Sequence, residues 1–329
     1  MRKAAGQLLA FAGIGTGWSP LERAMLLRRT RRDGLSMADR RGIHALLNPA
    51  GLPLRRNILR NKLLFARHVA AHGLAAPDSF DPARTTLPDW LAQREGVVLK
   101  PSQSSKGRNI RLFTRDRNGW RSGGKPVSES SFLHLAGRVA KASGVVQEWR
   151  RPHPGLEAIS PGALPTLRII TCLDERGEPE ACTRILRLGA GNGRPVDNFN
   201  AGGITVAIDT GERCGAAFQA VGKNARCLDR HPISGEVIAG RPVPALAAAE
   251  RLAVLAHRTM PAGYRVIGWD VGMTDNGPVL IEGNWNPGTD IVQLIDGMGI
   301  DRTRLGALYR FHLSQAGQAD WSAIQAVQW

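Results

Sequence analysis

The sequence predicts a fold of mixed helices and strands, of the α+β or mixed-sheet α/β class, arranged in two lobes. Helical spacing of apolar residues prevails in the first seventy residues, whereas short apolar runs between turn residues prevail in the second half. The two patterns mix without the strict alternation that builds a doubly wound parallel sheet. With 329 residues, 43% of them hydrophobic, the chain can form one large or two ordinary domains with real cores.

The helices follow from apolar residues that recur every three or four positions. In the clearest case Leu59, Leu63 and Ala66 share one face, and Gly73 and Pro77 end the helix. The predicted helices span residues 20–48, 56–72, 129–142, 244–258 and 301–315.

The strands are predicted where short runs of β-forming residues stand between turn signals. They span residues 96–101, 109–116, 145–149, 167–174, 181–189 and 204–209, followed by a hairpin within 268–288, while 82–88 reads as a loop. We therefore expect a basic helical region over 1–55, a small lobe with its opening helix over 56–150, and a large lobe over 151–329.

The positive charge is concentrated near the N-terminus. The whole chain carries a formal net charge of +16, and residues 1–70 hold fourteen lysines and arginines against three acids, a net charge of +11. Such a region either contacts anionic lipid or an acidic glycan, or forms a solvated helical face. Specific nucleic-acid binding is unsupported, because aromatic residues make up only 5% of the chain and no Lys/Arg-Gly-aromatic motif occurs.

The four cysteines form no CxxC pair and no Cys/His cluster, which favours the reducing cytoplasm. No apolar run reaches the 18 residues or so of a membrane span. Gly13, Gly15 and Gly17 interrupt the short apolar stretch at the N-terminus, so we expect it to belong to the mature chain rather than to a signal peptide. We expect a cytoplasmic protein that either stays in solution or also contacts the inner face of the membrane.

The most informative segment is GWDVGMTDNGPVLIEGNWNPG, residues 268–288. Glu282 and Asn284 lie two apart on a strand and point the same way. A three-residue turn with Gly277 in the left-handed conformation would place Asp270 directly opposite Glu282, on the same face. A two-residue Asn-Gly loop would turn Asp270 to the other face.

Three oxygen-bearing side chains that converge in this way suit a hard cation such as Mg²⁺, which keeps open positions for phosphate oxygens. The alternative is a surface hairpin with scattered polar residues. Large apolar neighbours such as Trp269 and Leu280 favour a packed hairpin, in which a buried acid needs a partner or a metal.

Other polar residues are candidate site residues, but their sequence patterns are less specific than that of the hairpin. Lys100 ends an apolar strand before a loop of small residues and either holds phosphates or lies on the surface. Arg168 and Arg184, on predicted strands with Arg187, either stabilise a reacting phosphoryl or acyl centre or pair with nearby acids. The loop 196–204 either approaches a ligand closely or only joins strands. No histidine has a Ser or Cys partner at the spacing of a hydrolytic triad.

Together these segments resemble the ATP-grasp superfamily over residues 55–315, and are most similar to its sugar-transfer-associated group, which is related to α-L-glutamate ligases. The stretches that carry the resemblance are KLLFARHVAAHGLAAP (62–77), VVLKPSQSSKGRNI (97–110), VVQEW (145–149), LPTLRIITC (164–172), VDNFNAGGI (196–204), HPISGEVIAGRPVP (231–244) and the hairpin. The segment between Lys100 and Asn109 departs from the superfamily pattern, because Gly107 is its only glycine.

The resemblance implies an ATP-grasp fold, in which two lobes clasp a nucleotide, and the following residue roles. Phosphate contacts are implied for Lys62, Lys100, Ser104, Ser105, Lys106 and Gly107. An adenine pocket is implied for Gln147, Glu148 and Trp149. Mg²⁺ ligands are implied for Asp270, Glu282 and Asn284. Contacts with an acyl phosphate are implied for Arg168 and Arg184, with Asn198 and Asn200 nearby.

The implied activity is an ADP-forming carboxylate–amine ligase that uses ATP and Mg²⁺, with small-molecule or glycan-linked substrates and a role near glycan or exopolysaccharide assembly. Two alternatives keep the same fold. One is a kinase that phosphorylates a sugar or another alcohol, and the other is a nucleotide-binding module without turnover. The sequence identifies neither the acid nor the acceptor.

Overall fold

The computed structural model describes residues 34–49, 52–53, 56–101, 110–191, 197, 199, 202–221 and 224–317. The helices of this part are α1 (Met37–Leu47), α2 (Lys62–Ala71), α3 (Leu87–Ala92), α4 (Glu129–Lys141), α5 (Pro154–Glu157), α6 (Leu246–Arg258), α7 (Asp290–Asp296) and α8 (Arg304–Ser314). The strands are β1 (Gly96–Lys100), β2 (Arg111–Asp116), β3 (Gly119–Ser122), β4 (Lys125–Val127), β5 (Val145–Glu148), β6 (Thr166–Leu173), β7 (Pro179–Leu188), β8 (Ile204–Ile208), β9 (Cys214–Val221), β10 (Asn224–Leu228), β11 (Val266–Thr274) and β12 (Gly277–Asn284).

The strands form two sheets. The five-stranded sheet has the order β4-β3-β2-β1-β5, and the seven-stranded sheet has the order β10-β9-β8-β7-β6-β11-β12. Every strand pairing in the described residues is antiparallel. The mixed helix and strand content confirms the predicted fold class, and of its two predicted forms the structure has the α+β one.

Side-chain caps fix several helix starts. Ser36 and Asp39 form a capping box at α1, and the side chain of Asn61 accepts hydrogen bonds from two backbone N–H groups at the start of α2. Thr86 caps α3 in the same way, with Pro88 in the first turn. Residues 82–86 are therefore a loop, as predicted, and the loop ends two residues earlier than expected because α3 begins at Leu87.

The two faces of the seven-stranded sheet have different neighbours. Helix α6 packs on one face, where Ile169 and Trp269 belong to the same apolar cluster as its Ala249. The other face is covered at one end by α1 and α8, which pack around Ile170 and Val266. The charged side chains described below lie on this second face, beyond the part that the two helices cover.

The linker between the sheets is hydrogen-bonded to the β11–β12 hairpin. The N–H of His153 donates to the carbonyl oxygen of Met273 (2.9 Å), and Pro152 forms an isolated bridge with Thr274. The sheets therefore join at the hairpin that carries the predicted metal ligands. The domain boundaries at residues 55 and 150 stay predictions, although the second falls where the chain leaves the five-stranded sheet.

Four strands were not predicted, namely β3, β4, β9 and β10. The first two have only four and three residues and lack an alternating apolar pattern. Strand β9, CGAAFQAV, has small residues where alternation would have marked a strand. Within the described part of the chain, no helix has the length and apolar character that crossing a bilayer requires.

Candidate active site

The β11–β12 hairpin brings together the two acids that the sequence singled out. Asp270 lies directly opposite Glu282, as predicted. The route differs, because Thr274 pairs with Gly277 and the loop between them has two residues instead of three. Gly277 does have the predicted positive φ, of 97°. A β-bulge at Ile281 then adds one residue and restores the pairing of the two acids.

Asp270 is 5% exposed and is held by two arginines on neighbouring strands. Its Oδ1 accepts from Arg168 Nε (2.5 Å) and Arg187 Nη1 (2.9 Å), and its Oδ2 accepts from Arg168 Nη2 (3.0 Å). Burial alone would raise the pKa of Asp270, but the two guanidinium groups hold that pKa well below its usual range. Asp270 is therefore an ionised carboxylate in a charge-assisted network.

The network continues to a third acid. Arg187 Nη2 donates to Asp197 Oδ1 (3.0 Å), and Thr166 Oγ1 donates to the other carboxylate oxygen of Asp197. Burial, only partly offset by Arg187, raises the pKa of Asp197. Arg187 is 5% exposed and links the two carboxylates, and these raise its own pKa against the effect of burial.

The five-stranded sheet contributes Lys100, at the end of β1. Its Nζ donates to Gln147 Oε1 on the neighbouring strand β5 (2.6 Å), and Gln147 Nε2 donates in turn to Ser79 Oγ (3.3 Å). Burial, with a smaller contribution from Lys62, lowers the pKa of Lys100 to about 8 against the raising effect of Glu282. Lys100 and Lys62 therefore lie close enough to Glu282 for the charges to affect one another, although Lys100 and Glu282 belong to different sheets.

Glu282 and Asn284 place a carboxylate and an amide two residues apart on β12, and the side chain of Glu282 is hydrogen-bonded to that of Asp270. Burial and the nearby Asp270 raise the pKa of the half-buried Glu282, against the opposing effect of Lys100. Asn284 Nδ2 donates to the carbonyl oxygen of Gly268 (3.4 Å), so its Oδ1 is the side-chain atom turned away from that bond. The described residues contain no group of three or more His, Cys, Asp or Glu side chains arranged for a metal. The oxygen-bearing side chains at this end of the hairpin are therefore the amide of Asn284 and the two acids.

Arg184 does not join the site. It lies three residues before Arg187 on β7, and side chains on a strand alternate between faces, so the two point in opposite directions. Arg184 is on the face that α6 covers, where its Nη1 pairs with Glu250 Oε1 at 3.1 Å. The prediction that Arg184 steadies a reacting group is wrong, and Arg187 lies where that residue was expected.

The predicted adenine segment has mixed contacts. Gln147 is buried and its side chain holds Lys100. The backbone N–H of Glu148 donates to Asp78 O (2.8 Å) and that of Trp149 to Gly96 O (2.9 Å), which fixes the path of the strand end. The remaining predicted site residues lie outside the described ones, namely Ser104, Ser105, Lys106, Gly107, Asn198 and Asn200.

Two residues of the network were missed or left unassigned by sequence reasoning. Arg187 was noted on a strand without a role, and Asp197 was seen only as part of a loop. The available signal was strand parity, since Arg187 shares its face with Ile185, the register partner of Arg168. That signal becomes usable only when the pairing of β6 with β7 is known.

The sequence matches the family model described as sugar-transfer associated ATP-grasp over residues 52–307. No curated protein matches it.

Solved structures with a similar chain trace are ligases and synthetases. D-alanine–D-alanine ligase from Bacillus anthracis is 13% identical, with a TM-score of 0.41 over 86% of this chain and 76% of that one. The L-amino acid ligase from Bacillus licheniformis is 16% identical, with a TM-score of 0.39 over 71% and 42%. N5-carboxyaminoimidazole synthetase from Staphylococcus aureus, complexed with ADP, is 6% identical, with a TM-score of 0.42 over 74% and 53%. The chain spans about half the length of the latter two, and similarity at this level does not extend to a shared reaction.

Proposed function

This chain belongs to the sugar-transfer associated ATP-grasp family, and from that premise we propose that it is an ATP-dependent, ADP-forming ligase. In the proposed reaction a substrate carboxylate oxygen attacks the γ-phosphorus of ATP and ADP leaves, which gives an acyl phosphate. An amine or a similar nucleophile then attacks the acyl carbon, and inorganic phosphate leaves. Such chemistry depends chiefly on positioning and charge neutralisation.

The observation that carries the proposal is the meeting of opposite, incompletely balanced charges from the two sheets. Burial lowers the pKa of Lys100, whose Nζ bonds to the neutral Gln147, and burial beside Asp270 raises the pKa of Glu282, so each charge is disfavoured where it lies. A phosphate group would stabilise the first, and a divalent cation would stabilise the second. A nucleotide triphosphate bound with Mg²⁺ supplies both charges together.

The donor set at the hairpin fits Mg²⁺. Glu282 and Asn284 would hold the ion, with Asp270 as the facing carboxylate, and all three present the oxygen ligands that Mg²⁺ prefers. The bound ion would neutralise charge on the phosphoryl oxygens. Lys62 and Lys100, with residues 104–107, would contact the phosphates, and the segment 147–149 would line the adenine.

Arg168 is the residue that we place beside the reacting carboxylate. Its side chain is 17% exposed, whereas that of Arg187 is 6% exposed, although both pair with Asp270. Arg168 is thus the one of the two that a substrate can reach, and Asp270 fixes its orientation. Arg187, held between two carboxylates, positions Asp270. Asn198 and Asn200 are proposed neighbours of the same substrate.

A glycan or exopolysaccharide precursor is the substrate class that the family description favours. The basic stretch 1–70 would meet an acidic glycan or an anionic membrane surface. Sedimentation with vesicles that contain or lack anionic lipid tests the membrane part. Equal binding to both vesicle types, or binding that resists high salt, would contradict it.

Turnover of ATP tests the reaction itself. The purified chain with Mg²⁺ and ATP is supplied with pools of amino acids, sugar acids and amino sugars, and ADP and AMP are measured separately. We expect ADP release that depends on an acid, and hydroxylamine should trap the acyl phosphate. Release of AMP would mean adenylation, and ADP release without a hydroxamate would favour the kinase.

The variant Glu282→Gln tests the metal assignment with little change of shape. We expect affinity for the non-hydrolysable analogue AMPPNP in Mg²⁺ to fall about 10- to 100-fold, because a charged cation ligand is lost. The matched control is Glu250→Gln in α6, the helix that covers the other face of the sheet, which should leave that affinity unchanged. Equal affinities for the two variants would count against Glu282 as a ligand.

A further inference from the structure

Helix α1 precedes the residues that match the family model, yet it docks against both ends of the site hairpin. The family match begins at residue 52, and α1 ends at Leu47. The carbonyl oxygen of Leu47 accepts from the N–H of Arg265, just before β11 (3.0 Å). The helix is thus attached to the structure that carries the acids.

Asn48, which caps α1, bonds to the two strand ends at once. Its Nδ2 donates to the carbonyl oxygens of Val266 (2.7 Å) and Trp285 (2.5 Å). Its Oδ1 accepts from the N–H groups of Arg265 (3.0 Å) and Val266 (3.1 Å). Val266 opens β11, and Trp285 directly follows Asn284. One buried amide therefore ties the start of one site strand to the end of the other.

His44 makes the second attachment and is completely buried. Its Nδ1 lies 2.8 Å from Asn286 Oδ1, and its Nε2 lies 2.6 Å from the hydroxyl of Tyr309 on α8. An amide oxygen only accepts, so Nδ1 carries the hydrogen and Nε2 accepts from Tyr309. Burial lowers the pKa of His44 to about 3, so the ring is neutral at physiological pH and keeps this tautomer.

These contacts end two residues from the proposed Mg²⁺ ligand Asn284. A metal-binding segment that has no outer support loses its ligand geometry, and outer contacts of this kind are typically worth 10- to 100-fold in metal affinity.

We infer that α1 is a positioning element of the Mg²⁺–nucleotide site, and that His44 and Asn48 act on Glu282 and Asn284 by holding the segment 284–286. The inference rests on the proposed function and adds to it residues that the family model does not cover. His44 and Asn48 are positioning residues, since neither touches the metal or the nucleotide in this arrangement.

The test compares two substitutions in α1 of the full chain. His44→Ala removes the bond to Asn286, whereas Ile43→Ala removes a neighbouring side chain that is also buried and packs in the core. Calorimetry measures AMPPNP affinity as Mg²⁺ is titrated, well below both melting temperatures. We expect both variants to lose thermal stability, but only His44→Ala to need roughly tenfold more Mg²⁺.

Two further variants separate positioning from loss of packing. Asn places its amide near Nδ1 of a histidine and Gln places its amide near Nε2, so His44→Asn should keep the bond to Asn286 and most of the Mg²⁺ affinity, and His44→Gln should lose it. Asn286→Ala should match His44→Ala, and the double variant should be no worse than either. Asn286 is half-buried, so its variant carries the test if His44→Ala fails to fold.

The outcomes are distinct. Equal Mg²⁺ requirements for His44→Ala and Ile43→Ala, or additive effects of His44→Ala and Asn286→Ala, would overturn the inference and leave the proposed function intact. Failure of the unsubstituted chain to bind AMPPNP with Mg²⁺ would overturn both. Faster hydrogen exchange at residues 283–288 in His44→Ala, but not in Ile43→Ala, would support positioning without reference to activity.

Discussion

The two sheets supply the site in different ways. The seven-stranded sheet brings charges that are already paired across neighbouring strands, with Asp270 between Arg168 and Arg187. The five-stranded sheet brings Lys100, which is held by the neutral Gln147 and has a lowered pKa. Apart from Glu282, the charges of the seven-stranded sheet are thus paired without ligand, whereas Lys100 gains its counter-charge from a ligand. Stability should therefore depend on the Asp270 network, and nucleotide affinity on Lys100 and Glu282.

The largest expected effect is on the paired side. Asp270→Ala would leave two buried guanidinium groups without their shared carboxylate, and we expect it to lower the free energy of unfolding by about 3–5 kcal/mol. Urea denaturation measures this loss. Asp275→Ala, in the exposed hairpin loop, is the control and should cost less than about 0.5 kcal/mol. A small loss for Asp270→Ala would remove the distinction between the two sides.

The complementary substitution is Lys100→Ala. We expect AMPPNP affinity to fall by about 1.5–3 kcal/mol, roughly 10- to 100-fold, because a charge-assisted phosphate contact is lost. The free energy of unfolding should change by less than about 1 kcal/mol, since burial already disfavours the charge of Lys100. The exposed Lys125→Ala is the control. Destabilisation as large as that of Asp270→Ala would contradict the comparison.

Low pH should lower the free energy of unfolding because His257, packed against the seven-stranded sheet, is buried as a neutral ring. Burial lowers the pKa of His257 to about 4, and its ring bonds to Thr171 and Tyr264 beneath the sheet. The unfolded chain binds a proton near pH 6.5 and the folded chain does not, so stability falls as the pH drops below 6.5. We expect about 1 kcal/mol to be lost between pH 6.5 and 5.5 from this residue, because about half of the unfolded chains already carry the proton at pH 6.5.

Urea denaturation at several pH values checks the slope. His257→Gln should flatten it by about one proton, whereas substitution of the exposed His72 should not. An unchanged slope in His257→Gln would show that this ring does not stay neutral in the folded protein.

The smallest expected effect comes from a comparison of two arginines on the same strand, β7. Arg184→Ala removes an exposed pair with Glu250, and we expect a change of at most about 0.5 kcal/mol in stability and none in AMPPNP affinity. Arg187→Ala, three residues away on the other face, should be severely destabilising. Similar effects of the two substitutions would mean that strand parity does not separate them.

The pairing of the two hairpin acids could be predicted because both lie in one β-hairpin, close together in the sequence. Asp270 and Glu282 are joined by a short turn, and alternation along two strands fixes their faces. The bulge at Ile281 could not be predicted, since its sequence signal is weak, and it happens to offset the shorter loop.

The choice between Arg184 and Arg187 needed information from distant parts of the chain. Arg168 bonds to an acid 102 residues away, and only the pairing of β6 with β7 and β11 decides which arginine shares that face. The contacts of α1 with the hairpin were even less predictable from local sequence patterns. His44 and Asn48 look like ordinary helix residues until their partners near residues 265 and 285 are known.

The docking of α1 has a consequence for biosynthesis. His44 leaves the ribosome long before Tyr309, because 265 residues separate them. At about 5–20 residues per second, the helix waits roughly 15–50 s for its last partner to be translated. During that interval its apolar face and its histidine lack their native cover, so the nascent chain offers chaperones an early binding site that disappears once Tyr309 has been translated and α8 has docked.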